Sequence, residues 1–408
     1  MRTILLFLSV IFVSSLLNAQ GWKPKVSGTQ NNLLSVSLVD NNIGYISGSL
    51  GTILKTTDGG DIWTKQNSGI DQDLFEISFI NADKGFAVGT GNNVLSTKDG
   101  GETWNVLNIS GTDFSFYYRN IWFLNDNVGF ITGGQAGNQG VILKTLDAGN
   151  TWTKLEPNSG SAIYGIFFTS PTTGYYSNFQ GEIKKTENGG ETWNLLSSGV
   201  TTTVYALHFT SNLEGYACGE KGVLLKTTDA GETWNLLNSN TTDVFTDMAF
   251  LDEYVGFAVG GNVANNTSTI LKTSDGGESW TSETITSTRQ YGCEFLSFEA
   301  GFSVGLNGSI LKVTNISAAD QKIKVNTNSI KTYPNPTSKY LTLECDSLQK
   351  YFGQKIEILN CLGKIIYAET INKQKSFIDL STLGGSGIYY IHVADHKNTS
   401  EVIKIILL

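Results

Sequence analysis

The chain has 408 residues, 45 of them Gly and only 16% charged, with a formal net charge of −9. This length predicts two or three domains, and Gly at this level beside 16 Tyr, 21 Phe and 8 Trp predicts short strands and tight turns rather than helices. The acidic balance argues against a nucleic-acid surface, because phosphate binding needs clustered Lys and Arg.

Residues 1–19 read as an export signal. Arg2 gives the positive start, Ile4 to Leu17 the apolar run, and Ala19 the small residue before cleavage. A membrane anchor is the alternative reading, but the run is shorter than the ~20 residues that cross a bilayer. No Cys follows it to carry a lipid, and no later stretch is apolar and long enough to span. Of the four cysteines, Cys218 and Cys293 fall in separate repeats and are expected to stay unpaired, since a disulfide needs Cα atoms within about 7 Å. Export permits disulfides, and the pairing of Cys345 and Cys361 stays open.

From Gly21 onward a repeat dominates. Trp22, Trp63, Trp104, Trp152, Trp193, Trp234 and Trp280 lie 41, 41, 48, 41, 41 and 46 residues apart. Each copy has an alternating apolar run such as Phe75-x-Ile77-x-Phe79, then Gly85-Phe86-Ala87-Val88-Gly89, then Val94-Leu95-Ser96-Thr97. An Asp99-Gly100-Gly101 turn follows and feeds Trp104. Four short strands at a period near 41 form a propeller blade. The last copy stops after Ile310-Leu311-Lys312 without its fourth strand. Trp22 to Gly28 resembles the fourth strand Trp63 to Gly69, so the chain start is expected to complete the seventh blade and hide two sheet edges.

The turn motif recurs at Asp58/Trp63, Asp99/Trp104, Asp147/Trp152, Asn188/Trp193, Asp229/Trp234 and Asp275/Trp280. Asp and Asn accept backbone N–H groups two residues on, Gly supplies positive φ, and Trp covers the adjoining sheet. One motif per blade cannot converge on one substrate, and Asn188 suits a turn rather than an acid, so the role is structural.

These repeats resemble the Asp-box (BNR) repeats of sialidases and, more narrowly, the photosystem II stability/assembly factor family of seven-bladed propellers. The resemblance covers about residues 21–315 and implies the fold and a general assembly or binding role. After a polar linker at 316–330, Tyr333-Pro334-Asn335-Pro336, Leu362-Gly363-Lys364 and Ser386-Gly387-Ile388-Tyr389-Tyr390 punctuate a small all-β unit, read as a sandwich. Residues 331–408 resemble the type A sorting domain of the type IX secretion system of the Bacteroidetes group. That implies release or surface display through the type IX machinery. It departs from the pattern at its tail, where Ile405-Ile406-Leu407-Leu408 lacks a closing Lys. The expected architecture is all-β: a signal peptide at 1–19, a seven-bladed propeller at 20–315, a linker and the sorting domain.

The functional reading is a binding or assembly module, with a sialidase- or xyloglucanase-like glycoside hydrolase as the alternative. A sialidase site needs three arginines about a carboxylate, and beyond residue 19 the chain has only Arg119 and Arg289. Glu76, Asp247 and Glu294 lie on inner strands as carboxylate candidates, each also readable as solvated or paired, and His208 lacks a nucleophile beside it. No His/Cys spacing suits a metal and no Gly loop suits a phosphate, so neither cofactor nor metal is expected. Alignment of the inner strands gives one column: Leu34, Phe75, Arg119, Tyr164, Tyr205, Thr246 and Tyr291. Tyr and Arg are favoured binding anchors, and extra length near Tyr118, at 134–139 and at 262–266 falls on the same face. The column can equally pack between blades with only its polar tips wet. The partner, a protein or glycan at the cell surface, is left open.

Overall fold

The computed structural model describes residues 21–107, 109, 117–134, 139–283, 287–297, 300–314, 316, 330–333, 337, 339–345, 351–360, 365–380, 387–394 and 400–407. The export signal, Cys361, the insertion at 135–138, most of the linker and the Pro334–Pro336 and Leu362–Lys364 motifs lie outside them.

Seven four-stranded antiparallel sheets follow one another along residues 21–314. The first blade is Leu33–Leu38, Gly44–Gly48, Ile53–Thr56 and Thr64–Gln66. The inner strands of the next five are Leu74–Phe79, Tyr117–Phe123, Ile163–Phe168, Val204–Phe209 and Val244–Phe250. The seventh blade is Gln290–Ser297, Ala300–Gly305 and Ile310–Thr314, and Gly21–Lys25 supplies its outer strand with Trp22 opposite Val313. The chain start therefore closes the ring.

Second strands such as Gly44–Gly48 and Gly85–Gly89 are buried along their whole length, because both faces of a blade meet neighbours. The core consequently lies between blades: Tyr216, Cys218 and Leu224 of the fifth pack on Phe245, Met248, Phe250 and Trp280 of the sixth. A trio of rings recurs at these interfaces. The last aromatic of an inner strand stacks on the second-strand aromatic of the preceding blade, as Phe79 does on Tyr45 at 3.6 Å and Phe250 on Tyr216 at 4.0 Å. The turn-motif Trp meets that stack edge-on, Trp104 to Phe79 at 5.9 Å and Trp280 to Phe250 at 6.0 Å. A Cβ at Gly85 or Gly256 would strike the ring of Phe79 or Phe250, which explains the Gly that opens each second strand.

Residues 323–408 form a second compact unit. One sheet joins Ile330–Tyr333, Tyr340–Cys345 and Lys375–Asp379; the other joins Ile365–Thr370, Lys355–Asn360, Gly387–Ala394 and Ser400–Leu407. Their facing residues, among them Leu341, Leu343, Ile356, Ile391 and Ile405, make a core of their own. The tail that reads as a departure from the sorting pattern is the end of an edge strand, paired along its length with Gly387–Ala394. Cys218 and Cys293 are buried free thiols, and Cys345 is buried in the core of the second unit.

Candidate functional site

Every inner strand carries a β-bulge at the same place. The ladder skips from Leu33 to Ser35, Leu74 to Glu76, Tyr118 to Asn120, Ile163 to Gly165, Val204 to Ala206, Phe245 to Asp247 and Gln290 to Gly292. The skipped residues are Leu34, Phe75, Arg119, Tyr164, Tyr205, Thr246 and Tyr291, the seven members of the aligned column. A bulged residue lacks a cross-strand partner and is re-aimed by the local kink. Here the seven converge on one mouth of the channel and line a chamber of about 270 Å³. The Gly closing most second strands accommodates the bulge, since a Cβ at Gly89 or Gly219 would strike the carbonyl of Asp73 or Thr203.

The Arg119 guanidinium lies over three rings, at 4.6 Å from Phe75, 5.1 Å from Tyr164 and 5.4 Å from Tyr117. Tyr164 meets Tyr205 edge-on at 5.0 Å, and the Tyr205 hydroxyl donates to Glu220 at 3.1 Å. Burial and the Glu220 charge raise the Tyr205 pKa, so the phenol stays a donor. Thr246 donates to the Gln290 carbonyl, and Arg289 covers the Tyr291 ring at 4.8 Å. The Nε atoms of Arg119 and Arg289 and the Oδ1 of Asn120 are buried without a hydrogen-bond partner.

The three candidate carboxylates lie deeper in the channel and do different work. Asp247 accepts the N–H of Met248 and, from the next blade, that of Cys293, both at 2.8 Å. Glu294 accepts the N–H of Leu38 in the following blade at 2.5 Å. Ser37 accepts the N–H of Phe79 in the same way at 3.1 Å. The inner strand is a sheet edge whose outward N–H groups have no ladder partner, and channel side chains of the preceding blade satisfy them. Glu76 receives the hydroxyl of Ser35. Burial raises the pKa of all three, Glu294 to about 8 and Asp247 to about 6, with the Asp247 charge adding to the rise at Glu76 and Glu294. Burial also lowers His208 to about 4, so the imidazole is neutral.

The Asp-box residues lie one to a blade, apart from the channel mouth. Asp99 accepts the N–H and hydroxyl of Thr103 and the hydroxyl of Thr97, bonds that hold its pKa down to about 2. Asp58, Asp147, Asp229 and Asp275 repeat the motif with small variations. Asn188 reproduces it, its Oδ1 accepting Thr192 N–H at 2.9 Å and its amide donating to the Thr192 hydroxyl at 2.8 Å. A further device was not read from the sequence. The Lys of the third strand donates to the Asp-box of the next blade: Lys55 to Glu102, Lys144 to the Gly189 carbonyl, Lys226 to that of Gly276 and Lys312 to that of Gly59. The signal was the repeated Ile-Leu-Lys-Thr, whose Lys alone among its residues is polar and long. Among the described residues no group of three His, Cys, Asp or Glu side chains could hold a metal ion.

Seven bulged blades around one chamber define a BNR-type propeller with its variable residues gathered at a channel mouth. Residues 62–193 and 155–242 match the family described as Photosynthesis system II assembly factor YCF48, and residues 331–408 match the secretion system C-terminal sorting domain. The chain thus carries a propeller with YCF48-like BNR repeats over residues 62–242, followed by a sorting domain of the type IX system, which implies a secreted or cell-surface protein that engages that machinery. Among solved structures, YCF48 bound to D1 peptide aligns with a TM-score of 0.59 at 21% identity, covering 72% of this chain and 94% of that one. YCF48 from Cyanidioschyzon merolae aligns with a TM-score of 0.59 at 19% identity, covering 72% and 98%. PorZ, a surface component of the type IX system of Porphyromonas gingivalis, aligns with a TM-score of 0.54 at 13% identity, covering 93% of this chain and 59% of PorZ. At these identities the likeness establishes the fold. An ulvan lyase of Nonlabens ulvanivorans is 31% identical over 97 residues, which is 24% of this chain and 17% of the lyase.

Proposed function

We propose that the exported propeller binds a polypeptide segment of a partner protein at its channel mouth and catalyses nothing. The observation that carries this reading is the ring of seven bulged residues about one chamber of about 270 Å³, with both arginines of the propeller beside it. Aromatic rings and guanidinium groups give large contact area with directed hydrogen bonds, and three buried polar atoms there await a partner. The choice of a polypeptide is supported by the similar YCF48 structure, which holds a peptide. The hydrolase alternative needs two free carboxylates. Asp247 and Glu294 are each engaged by backbone N–H groups of the neighbouring blade, which supports a structural use for both.

The test is the quadruple change Arg119→Ala, Tyr164→Ala, Tyr205→Ala and Tyr291→Ala, with folding checked by circular dichroism. Each anchor is worth about 1–4 kcal/mol, so pulldown of partner proteins from the outer-membrane fraction should be abolished. Asp99→Ala should lower stability and leave capture intact. Capture that persists in the folded quadruple variant contradicts the proposal. So does glycoside cleavage that is lost on changing Glu76, Asp247 or Glu294.

A further inference from the structure

Two residues beyond the carboxylate ring of Glu76 and Asp247, the inner strands present another ring to the channel, around a second chamber of about 300 Å³ that shares Glu76, Asn120, Ala206 and Asp247 with the chamber at the mouth. This ring is two-sided. On blades three, four and five it is Trp122, Phe167 and His208; on blades seven, one and two it is Glu294, Ser37 and Ser78. The aromatic side is continuous, with Trp122 to Phe167 centroids 5.3 Å apart and Phe167 to His208 5.4 Å apart. Ala249 on blade six leaves that stretch of wall low.

The polar side retains unused hydrogen-bonding capacity. Glu294 spends Oε2 on Leu38 and keeps Oε1, and Ser37 accepts from Phe79 and keeps its hydroxyl proton. Among the described residues, Ser78, the Trp122 indole N–H and the His208 imidazole have no hydrogen-bond partner. An apolar occupant would strand these groups without partners. An anion would meet no cation in the chamber, where His208 is neutral and Asp247 ionised, and a cation would find in Asp247 a carboxylate whose two oxygens are already held by backbone N–H groups. A ring with apolar C–H faces and hydroxyls at its edge satisfies both sides, stacking on the aromatic arc while its hydroxyls donate and accept across the chamber.

We propose that this lower chamber is a binding site for one neutral sugar ring, a pyranose either free or at the end of a glycan. The chamber volume falls at the lower end of the ~300–1,000 Å³ found for small-molecule sites. Its ring shares no residue with the seven at the mouth, so the polypeptide reading can fail without it and it can fail without that reading.

Saturation-transfer NMR on the purified full chain would test it, with glucose, galactose, mannose and N-acetylglucosamine each at a few millimolar, and with oligosaccharides ending in the same rings. Transfer to ring C–H protons is expected. Transfer to the monosaccharides points to a free sugar, and transfer only to the terminal ring of oligosaccharides to a glycan end. Ala249→Phe fills the chamber and should remove the signal, whereas the quadruple mouth variant should keep it. If Ala249→Phe does not fold, His208→Leu serves instead and should weaken affinity about tenfold. Absence of transfer to every sugar, or transfer unchanged in the folded chamber variant, overturns the proposal.

Discussion

Glu294 shows how one side chain can serve the ring and burden it. Its carboxyl caps the Leu38 N–H of the next blade, yet burial and the Asp247 charge lift its pKa to about 8. A carboxyl whose folded pKa exceeds its unfolded value binds more protons when folded, so its contribution is full below about pH 4.5 and is lost as pH rises towards 8. Asp247 and Glu76, the acids that face it, act in the same direction; His208, lowered to about 4, acts in the opposite one, losing stability as pH falls below about 6.5. Glu294→Gln keeps an acceptor for Leu38 and removes the titration. Its melting temperature should therefore fall less than that of the parent between pH 6 and 8.5; parallel curves would rule out this role. Little of this was legible in the sequence, where Glu294 and Asp247 were carboxylate candidates also readable as solvated or paired with a neighbour. Their partners are backbone amides one blade away, and residue identities carry no mark of an amide's availability.

At the scale of the element, the repeat was legible because each blade reuses the same spacing of Gly, Asp and Trp. Closure by Gly21–Lys25 was legible for the same reason: an orphan outer strand stood at one end and a blade lacking one stood at the other. The bulges were not read, although their residues were aligned correctly: the core residues flanking a bulge, such as Leu74 and Ile77, lie three apart, and the run Phe75-x-Ile77-x-Phe79 masked that break with an apparent alternation. The edge strand Ser400–Leu407 was not read, because its apolar end was weighed only against the closing Lys of the sorting pattern. Trp22 fills the space between Phe257 at 5.8 Å and Phe295 at 5.9 Å, so the closing strand brings packing as well as a ladder. Deleting residues 20–28 should cost about 3–5 kcal/mol from the lost ring alone. The melting temperature should then drop by about 10 °C at ~2–4 °C per kcal/mol. A scan by calorimetry that finds the two forms equal would show that the ring closes without this strand.

At the scale of the molecule, the two units keep separate cores: the propeller's lie between blades, and the sorting domain's is built wholly from residues 330–407. The export address can therefore be removed without opening the propeller. A chain truncated after residue 322 should be made, folded and held in the periplasm of a type IX-competent host. Fractionation that finds it outside the cell at the parent's level would show that residues 331–408 are not needed for export.

The seven bulges also separate two demands that proteins usually have to meet with the same residues. In an ordinary strand each side chain answers to a partner across the ladder, so a change made for recognition is also a change in folding. Here the residue at the mouth has no opposite number, while its neighbours on either side stay in register. Leu, Phe, Arg, Thr and three Tyr occupy the seven equivalent positions of one molecule, although the blades around them are nearly alike. The mouth is a row of interchangeable letters set in a fixed frame: under the binding role proposed above, a lineage could rewrite what the mouth recognises, one blade at a time, while the frame that holds the text stays as it was.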